Sequence, residues 1–388
     1  MKRYLMSTGA LIIFVTIVIL FLIYGIQRDS ELIPSYNTVS VSDAMNANEG
    51  NYAKALEPRK FVFPEDHSSH DDFKIEWWYF TGNLSDENGN RFGYQFTIFR
   101  NALSSDSVSK QSSMSTNQLY LAHFALTDVS NGKFYYADKY SRGAANMAGA
   151  SVWPLKIHVE DWTISTNEDY DGDYLMPEFK IKAEADDFAI EFDVVPLKSI
   201  VKHGINGLSA KSNTPGNASY YYSYTRMDTR GKIKIGEKNF SVSGNSWMDR
   251  EWSTSALDSG QVGWDWFSLQ LDNEHEIMFF MLRNQDDSFN FGKGTMVYPD
   301  GKHEFISPED IDLKVSKHWT NKDGHQYPSA WTMKSIKFDF DLNIETQVPD
   351  QELKLIIRYY EGSVSINGTH KGQKLKGYGY AELTGYTN

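Results

Sequence analysis

The chain has 388 residues, of which 40% are apolar, enough to bury a sizeable core over roughly two or three domains. It contains no cysteine, so the composition excludes a disulfide scaffold and a zinc site built on thiolates. With 38 basic and 51 acidic residues the formal net charge is -13, and such a surface repels a phosphate backbone. Nucleic acid is therefore not an expected partner. Aromatic residues make up 14% of the chain and favour β-structure.

The first predicted element is an uncharged apolar run at residues 9–26. As a helix it extends about 27 Å, enough to cross the hydrocarbon core of a bilayer. Lys2 and Arg3 precede it, so the positive-inside rule places the rest of the chain outside the cytoplasm, in the periplasm or at the cell surface. No small-x-small cleavage site follows, which favours an anchor over a cleaved signal within residues 1–28. Residues 29–58 are polar and are predicted to be a tether.

Strand-like runs separated by turn signals dominate the rest of the chain, which predicts a mainly β fold. The runs at residues 73–84 and 91–100 are predicted to form a hairpin with its turn at Asn88 and Gly89. The Ser-rich stretch at residues 104–116 reads as a loop between strands.

A weak internal repeat divides these strands into two halves. The motif WWYF at residues 77–80 recurs as WDWF at residues 264–267, and the strands that follow, FTIFRN and FFMLRN, align at an offset of 183 residues. Such an offset is far longer than a solenoid or propeller unit, so it predicts two tandem β domains, at residues 59–234 and 235–388. Coincidence between two aromatic hairpins is the alternative.

Seven blocks of sequence occur in the order typical of one family. They are EWWYFTGNL from Glu76, LAHFALTD from Leu121, YYYSYTR from Tyr220, GNSWMDREWS from Gly244, GWDWFSLQLD from Gly263, EGSVSING from Glu361 and GYGYAELTGY from Gly377. With these blocks the chain resembles the AttH and carotenoid 1,2-hydratase (CrtC-like) family of predicted secreted hydrolases. The resemblance implies two tandem lipocalin-like antiparallel β-barrel domains that hold a lipophilic ligand inside a barrel or between the two.

The segment WMDREW carries the main catalytic candidates. Asp249 and Glu251 are two residues apart and therefore face the same side if the segment is a strand. Flanking tryptophans would desolvate them and raise a carboxyl pKa toward that of a useful general acid. Protonation of an alkene carbon needs such a donor, and the family resemblance implies a site here, with Asp249 as the proton donor. The alternative is a structural network in which Arg226 and Arg250 neutralise both carboxylates.

Further candidates lie beside these motifs. His123, on a predicted strand, is a candidate base or proton relay, with a satisfied structural histidine as the alternative. Asp265, next to the paired tryptophans of its half, is a weaker catalytic candidate. The predicted ligand contacts are aromatic or charged residues of the same blocks, although interior packing is an alternative for the tyrosines. They are Glu76, Trp77, Trp78, Tyr222, Tyr224, Trp247, Trp252, Trp264, Trp266 and Arg283.

No cofactor or metal ion is expected. His67 and His70, followed by Asp71 and Asp72, form a common loop pattern that is rarely a metal site. Residues 167–178 match calcium-loop spacing except at the first position, but strand-like flanks favour a hairpin turn rich in Asp and Gly. The sequence contains no G-x-S-x-G, P-loop, dinucleotide-binding or HExxH motif, so hydrolase activity has no motif to support it.

Two functions follow as the leading expectations. The first is a membrane-tethered, extracytoplasmic protein that binds a lipophilic small molecule, which the resemblance to AttH places beside an ABC export system and its permease. The second is an enzyme of the hydratase or isomerase type that protonates an alkene of a terpenoid or lipid. A third option is an assembly factor that uses aromatic rims as a protein-binding surface.

Overall fold

The computed structural model covers most of the chain beyond the predicted tether. The predicted anchor at residues 9–26 and residues 29–49 of the predicted tether lie outside the described residues. Within the described part, no helix combines the length and the apolar character needed to cross a bilayer. The described residues are 50–106, 112–167, 172–255, 257–258, 260–286 and 288–387.

The described residues are mainly β, as the composition predicts. Three short 3-10 helices occur among them, at Glu65–His67, Val129–Asn131 and Pro308–Asp310. The strands of the first sheet are β1 (Ile75–Asp86), β2 (Arg91–Ala102), β3 (Gln118–Asp128), β4 (Lys133–Arg142), β5 (Ala148–Ser151), β6 (Lys156–Val159), β7 (Trp162–Ser165), β8 (Phe179–Glu184), β9 (Phe188–Pro196), β10 (Val201–Lys202), β11 (Leu208–Ala210), β12 (Ala218–Ile235) and β13 (Lys238–Ser253). The strands of the second sheet are β14 (Gln261–Leu271), β15 (Glu276–Asn284), β16 (Phe289–Val297), β17 (His303–Ile306), β18 (Asp312–Thr320), β19 (Gln326–Ser335), β20 (Phe340–Thr346), β21 (Glu352–Lys354), β22 (Arg358–His370) and β23 (Gln373–Thr384).

Both sheets are barrel-like and follow one plan. The first has the order β4-β3-β2-β1-β13-β12-β9-β8-β7-β6-β5, and the second has the order β17-β16-β15-β14-β23-β22-β20-β19-β18. In each sheet the first strand lies between the second and the last: β1 between β2 and β13, and β14 between β15 and β23. This arrangement is consistent with two lipocalin-like domains and gives the internal repeat a structural basis.

The change of sheet lies later than the predicted boundary at residues 234 and 235. β13 pairs along its length with β12, and it also pairs with β1 from Ile75 to Asp86. The turn signal near residues 229–238 is therefore the hairpin between β12 and β13, which stays within the first sheet. The second sheet begins at β14, so the segment WMDREW belongs to the first barrel.

Side chains fill the interior of each barrel. Strand alternation turns Trp78 and Phe80 of β1 into the first core, where Phe96 and Phe124 are also fully buried. In the second barrel the core is built in the same way, with Phe267, Leu269, Trp331, Met333 and Leu342 among its buried residues. Much of the aromatic excess is therefore core packing.

A third apolar cluster joins the outer faces of the two barrels. It contains Tyr79, Tyr221, Trp247, Leu257, Trp266, Met278, Phe280, Leu282 and Tyr380. A buried ion pair reinforces this interface, because Lys198 of the first barrel lies 2.8 Å from a carboxylate oxygen of Glu276 in the second. The two sheets thus share a dry interface in addition to their separate cores.

A buried ionic network holds residues 50–74 against the first barrel. Its centre is Glu76, whose carboxylate pairs with the guanidinium groups of Arg100 and Arg250 and accepts a hydrogen bond from the backbone N–H of His70. Burial alone would raise the pKa of Glu76, but the two guanidinium groups outweigh it and hold this pKa well below its usual range. Both carboxylate oxygens of Glu76 are bonded in this network, Oε1 to Arg100 and Oε2 to Arg250.

Replacing Arg250 by Met tests this network. The change leaves a buried carboxylate with one partner fewer, so we expect the free energy of unfolding to fall by about 3 kcal/mol. Urea denaturation of the full chain measures it. The matched control, Arg230→Met, removes the ion pair of Arg230 with Asp228, in which the arginine side chain is 76% exposed, and should change stability by less than about 0.5 kcal/mol. Equal losses in the two variants would contradict a structural role for the Glu76 network.

Candidate active site

Strand alternation decides which side chains reach the interface between the barrels. On β1, Trp77 and Tyr79 face outward, opposite to the core residues of the same strand. On β13, Asp249 and Glu251 face the same way. The register places Asp249 beside Tyr79 and Glu251 beside Trp77, so the aromatic rings next to the two carboxyl groups come from β1 as well as from the flanking Trp247, whereas Trp252 belongs to the first core.

The neighbouring strand β12 extends this row on the other side. Its residues Ser223 and Tyr221 pair with Asp249 and Glu251, respectively. The outward residues of β12 are therefore Ser219, Tyr221 and Ser223, whereas the predicted contacts Tyr222 and Tyr224 belong to the first core. The Tyr-rich segment contributes to the site through Tyr221, which immediately precedes the two predicted tyrosines in the sequence.

The second barrel supplies the opposite wall. Trp264 and Trp266 of β14 and Phe280 and Leu282 of β15 line it. Glu382 of β23 stands beside Trp266 in the sheet register. The two WxxF-type motifs of the internal repeat therefore face each other across the interface.

Two small adjoining cavities lie at this interface. The acid cavity, of about 70 Å³, is lined by Trp77, Tyr79, Phe99, Lys211, Tyr221, Asp249, Glu251, Trp264, Trp266, Phe280, Leu282 and Glu382. The side cavity, of about 60 Å³, shares four of these residues and also contacts His123 and Tyr359. Predominantly aromatic walls with a few acidic groups are suited to an apolar molecule that carries one reactive bond.

Asp249 is the most strongly placed acid of the site. Its carboxyl group is 3% exposed, and Oδ1 accepts hydrogen bonds from Trp247 Nε1, at 2.7 Å, and from the hydroxyl of Ser223. Burial raises the pKa of Asp249 to about 7, and the charge of Glu251 acts in the same direction, although the hydrogen bonds oppose the rise. Asp249 is thus poised near neutral pH, where a general acid is most effective.

Glu251 has a different environment from Asp249. Its carboxylate lies 2.6 Å from Lys211 Nζ and accepts a hydrogen bond from Ser219. The arginines of the alternative structural network lie elsewhere, since Arg226 pairs with Glu276 and Arg250 pairs with Glu76. The two carboxyl groups of the WMDREW segment therefore differ: Asp249 has a raised pKa, whereas Glu251 is ion-paired with Lys211.

The second barrel contributes two further buried acids to the interface. Burial, together with the charges of Asp249 and Glu251, raises the pKa of Glu382 to about 8. Glu361, its neighbour in the sheet, is fully buried and accepts a hydrogen bond from the hydroxyl of Tyr79 at 2.7 Å. Burial and the charge of Glu382 raise the pKa of Glu361 well above its usual range. Burial at the interface therefore raises the pKa of the carboxyl groups of Asp249, Glu361 and Glu382.

His123 lies at the side cavity rather than beside the carboxylates. The register runs from His123 through Thr97 and Tyr79 to Asp249, three strand spacings or roughly 14 Å. Its Nδ1 lies 2.7 Å from the hydroxyl of Tyr359, and burial lowers the pKa of His123 to about 4. The prediction that His123 relays a proton directly to Asp249 is therefore wrong, because the two residues are too far apart.

The remaining predicted residues fall into two groups. Trp247 packs at the interface beside Asp249, and Trp77, Trp264 and Trp266 line the acid cavity. The others point into a barrel or its mouth, because alternation turns them away from the interface. They are Trp78, Trp252, Tyr222 and Tyr224 in the first core, Glu76 in its ionic network, and Asp265 and Arg283 in the second barrel, where both contact Tyr386.

Several residues of the site were not predicted from the sequence. Lys211 lies on a loop where no pattern marks it. Tyr79, Tyr221 and Glu382 belong to the quoted blocks, and alternation outward from Asp249 would have selected the first two once the register was known. His203 was not singled out, yet its Nε2 lies 2.7 Å from the hydroxyl of Ser223, beside Asp249.

The histidines of the first candidate metal site are bonded to other protein groups. His67 is buried with its ring nitrogens bonded to the hydroxyl of Tyr222 and to a backbone carbonyl, while His70 lies between Asp66 and Glu76. The candidate calcium loop is described only in part, because residues 168–171 lie outside the described residues. Within the ranges that the structure covers, no group of three or more His, Asp or Glu side chains is arranged to hold a metal ion.

Comparison with known proteins agrees with this architecture. The AttH-like family model matches residues 54–386. The chain belongs to the AttH-like family. The crystal structure of an AttH protein from Nitrosomonas europaea matches 86% of the AttH-like chain and all of its own, with a TM-score of 0.74 and 31% identity. The resemblance predicted from the seven blocks is thereby confirmed.

Two hydratases are further relatives of this AttH-like protein. Kievitone hydratase from Nectria haematococca shares the fold, with a TM-score of 0.65 and 13% identity over 86% of this chain and 96% of its own. Kievitone hydratase from Fusarium solani subsp. phaseoli is 25% identical over 178 residues, which are 44% of this chain and 50% of that protein. The AttH-like chain thus spans about half the length of the curated relative that it matches.

The raised pKa of Asp249 predicts an inverse pH dependence of stability. Because this pKa is about 7 in the folded chain and about 3.9 in an unfolded one, Asp249 contributes most below pH 4 and destabilises the fold progressively as the pH rises to 7. Asp249→Asn keeps the shape without the charge. We therefore expect this variant to gain stability over the wild type between pH 4 and pH 7, by up to about 4 kcal/mol above pH 7.

Chemical denaturation at pH 5 and pH 9 measures this gain. The control is Asp300→Asn, at an exposed residue whose pKa is lowered mainly by a hydrogen bond from Lys302. It should show no gain at pH 9. A gain for Asp249→Asn that is the same at both pH values would contradict a protonated Asp249.

Proposed function

We propose that this AttH-like protein is an acid catalyst of the hydratase or isomerase type, which protonates an alkene of a small apolar molecule held between the two barrels. The observation that carries the proposal is a buried carboxyl group, Asp249, in a cavity walled by aromatic rings, where burial raises its pKa to about 7. Protonation of carbon is the difficult step of alkene hydration, and it needs an acid that remains protonated near neutral pH.

The chemistry balances without a cofactor. The proton of Asp249 forms a new C–H bond at one alkene carbon and leaves a carbocation at the other. The faces of Trp77, Trp264 and Trp266 stabilise that cation, as aromatic faces stabilise other cations. In hydration, water adds to the cation, and its extra proton returns to the Asp249 carboxylate, either directly or through the neighbouring carboxylate of Glu251. In isomerisation, the Asp249 carboxylate instead takes a proton from a carbon next to the cation, which forms the new alkene and regenerates the acid.

The size of the site restricts the substrate class. The two cavities, of about 70 and 60 Å³, are small compared with roughly 300–1,000 Å³ for common ligand pockets. The barrel interiors, which would hold a long lipid in a carrier, are filled by side chains. These volumes favour a short branched alkenyl group over a whole carotenoid. The names of the two kievitone hydratase relatives also favour hydration over transport.

Labelled water tests the reaction. The full chain is incubated with 3-methyl-2-buten-1-ol, whose trisubstituted alkene gives a tertiary cation, in ¹⁸O water. We expect 3-methylbutane-1,3-diol with one ¹⁸O atom, detected by mass spectrometry. Asp249→Asn should lower the rate by about 10²–10⁴-fold, because the proton donor is lost.

The matched control is Asp265→Asn. Both carboxyl groups are buried, but Asp265 lies in the second barrel and accepts hydrogen bonds from Tyr386, away from the acid cavity. Its rate should stay within about threefold of the wild type. An Asp249→Asn variant that retains the wild-type rate, or a wild type that hydrates neither this alkenol nor other short trisubstituted alkenes, would contradict the proposal.

Capture of an apolar ligand without turnover is the second candidate, favoured by the aromatic lining of the same cavities. It predicts that Trp264→Ala weakens ligand capture while Asp249→Asn leaves it nearly intact. Native mass spectrometry of the full chain, followed by organic extraction, distinguishes the two candidates, because only catalysis yields an altered molecule.

We further propose that residues 9–26 tether the protein to a membrane on its outer side. Deletion of residues 2–27 should move the protein from the membrane fraction to the supernatant after alkaline extraction, since the deletion removes the long apolar run. Retention in the membrane after this deletion would contradict the tether. The association with an ABC export system remains a prediction from the family resemblance.

A further inference from the structure

His203 is a buried residue that the proposed chemistry does not use. It follows β10, is fully buried, and packs against the ring of Tyr221, with 4.2 Å between ring centres and the ring planes tilted by 45°. Both ring nitrogens have hydroxyl partners. Nε2 lies 2.7 Å from Ser223 Oγ, and Nδ1 lies 2.8 Å from Thr295 Oγ1. Because Thr295 is on β16, the imidazole connects the second barrel to the row of residues that contains Asp249.

The hydrogen-bond directions follow from the single hydroxyl proton of Ser223. That proton is donated to Asp249 Oδ1, so Ser223 Oγ must accept from His203. Nε2 therefore carries the imidazole proton, and Nδ1 accepts from the hydroxyl of Thr295. The three hydrogen bonds, from Thr295 to His203, from His203 to Ser223 and from Ser223 to Asp249, are therefore all donated toward Asp249. The direction of each bond is determined by the bond that follows it in this series.

The same contacts determine which oxygen of Asp249 holds the acid proton. Oδ1 accepts from Ser223 and from Trp247 Nε1, and two donors on one oxygen give it the character of a carbonyl acceptor. The acid proton is then left to Oδ2, which neither of these two donors contacts, while the hydroxyl of Tyr221 also donates a hydrogen bond to the Asp249 carboxyl group. After this proton has been given up, the two donors to Oδ1 stabilise the negative charge that remains.

We propose that His203 is a positioning residue for Asp249: through Ser223, and oriented by Thr295, it holds the acid proton on Oδ2 and stabilises the carboxylate left after proton transfer. This inference rests on the proposed function, since it assigns a role within the same site. The inference also makes the acid depend on both barrels. Thr295, the first donor of this series of hydrogen bonds, belongs to the second barrel, and Asp249, the final acceptor, belongs to the first.

A neutral imidazole is required for this role. A charged His203 would favour the ionised form of Asp249 and remove the acid before a substrate arrives. Burial holds the pKa of His203 well below its usual range, and the charges of His303 and Lys211 act in the same direction. The other titratable groups that face Asp249 are Glu251 and Tyr221 of the first barrel and Glu382 of the second. These groups are left unchanged in the test.

The test measures protonation of Asp249 without turnover. Infrared spectra of the full chain are recorded against pH, and the carboxylic C=O band of Asp249 is assigned as the band lost in Asp249→Asn. Ser223→Ala removes a donor that favours the ionised form, so we expect the midpoint to rise by about one pH unit. Ser223→Thr keeps the hydroxyl and should restore the wild-type midpoint.

His203 acts through Ser223, so their effects should not add. His203→Leu is expected to raise the midpoint in the same direction as Ser223→Ala, and the double variant should match Ser223→Ala alone. Thr295→Val, which keeps the side-chain shape, should give a smaller rise and serves if His203→Leu does not fold. A midpoint unchanged by Ser223→Ala, or additive shifts in the double variant, would overturn the inference.

Ser219→Ala is the matched control. This serine is on the same face of β12 but donates to Glu251 instead of Asp249, so the midpoint should stay at its wild-type value. A midpoint shift as large as that of Ser223→Ala would show that the effect is not specific to the hydrogen bonds that connect Thr295, His203 and Ser223 to Asp249, and would overturn the inference. Because the band reports protonation alone, a failed positioning role is distinguishable from a failed hydratase role, which the labelled-water assay detects.

Discussion

The exclusion of water between the outer faces of the two barrels is the constraint on which the site depends. Asp249 lies on the outer face of the first barrel, where strand alternation alone would leave it in solvent. The second barrel covers this face with Trp266, Phe280 and Leu282. Burial is then the largest influence on the pKa of Asp249 and on that of Glu382. The raised pKa of Asp249 is consequently caused by its burial at the interface between the barrels and not by its position in a barrel core.

The same alternation separates structural from chemical roles along single strands. On β13, Arg250 and Trp252 face inward and stabilise the first barrel, whereas Asp249 and Glu251 face the cavity. A charged residue of one face thus differs in role from its immediate neighbour in sequence. Substitutions in this segment therefore need separate measurements of stability and of chemistry.

Much of the fold could be predicted from the sequence, but only part of the site. The repeat of WWYF and WDWF marks two equivalent first strands, and the spacing of Asp249 and Glu251 places them on one face. The register between strands could not be predicted, and it decides that Tyr221 rather than Tyr222 reaches the cavity and that His123 is too distant. His203 and Lys211 lie outside regular patterns, since they reach the site from loops after β10 and β11. The predicted domain boundary at residues 234 and 235 lies before the change of sheet, because a hairpin turn within one sheet resembles a linker between two sheets.

The repeat has one more consequence. Tyr79 and Trp266 are equivalent positions of the two motifs, and the residues beside them on the last strands are Asp249 and Glu382, respectively. These carboxyl groups are therefore counterparts, one from each copy of the same barrel plan. A single barrel of this kind would expose its carboxylate to water, with an ordinary acidity. Facing two copies toward each other buries both carboxyl groups, and burial is the largest cause of the raised pKa of each, so two surfaces of ordinary acidity form an acid where they meet.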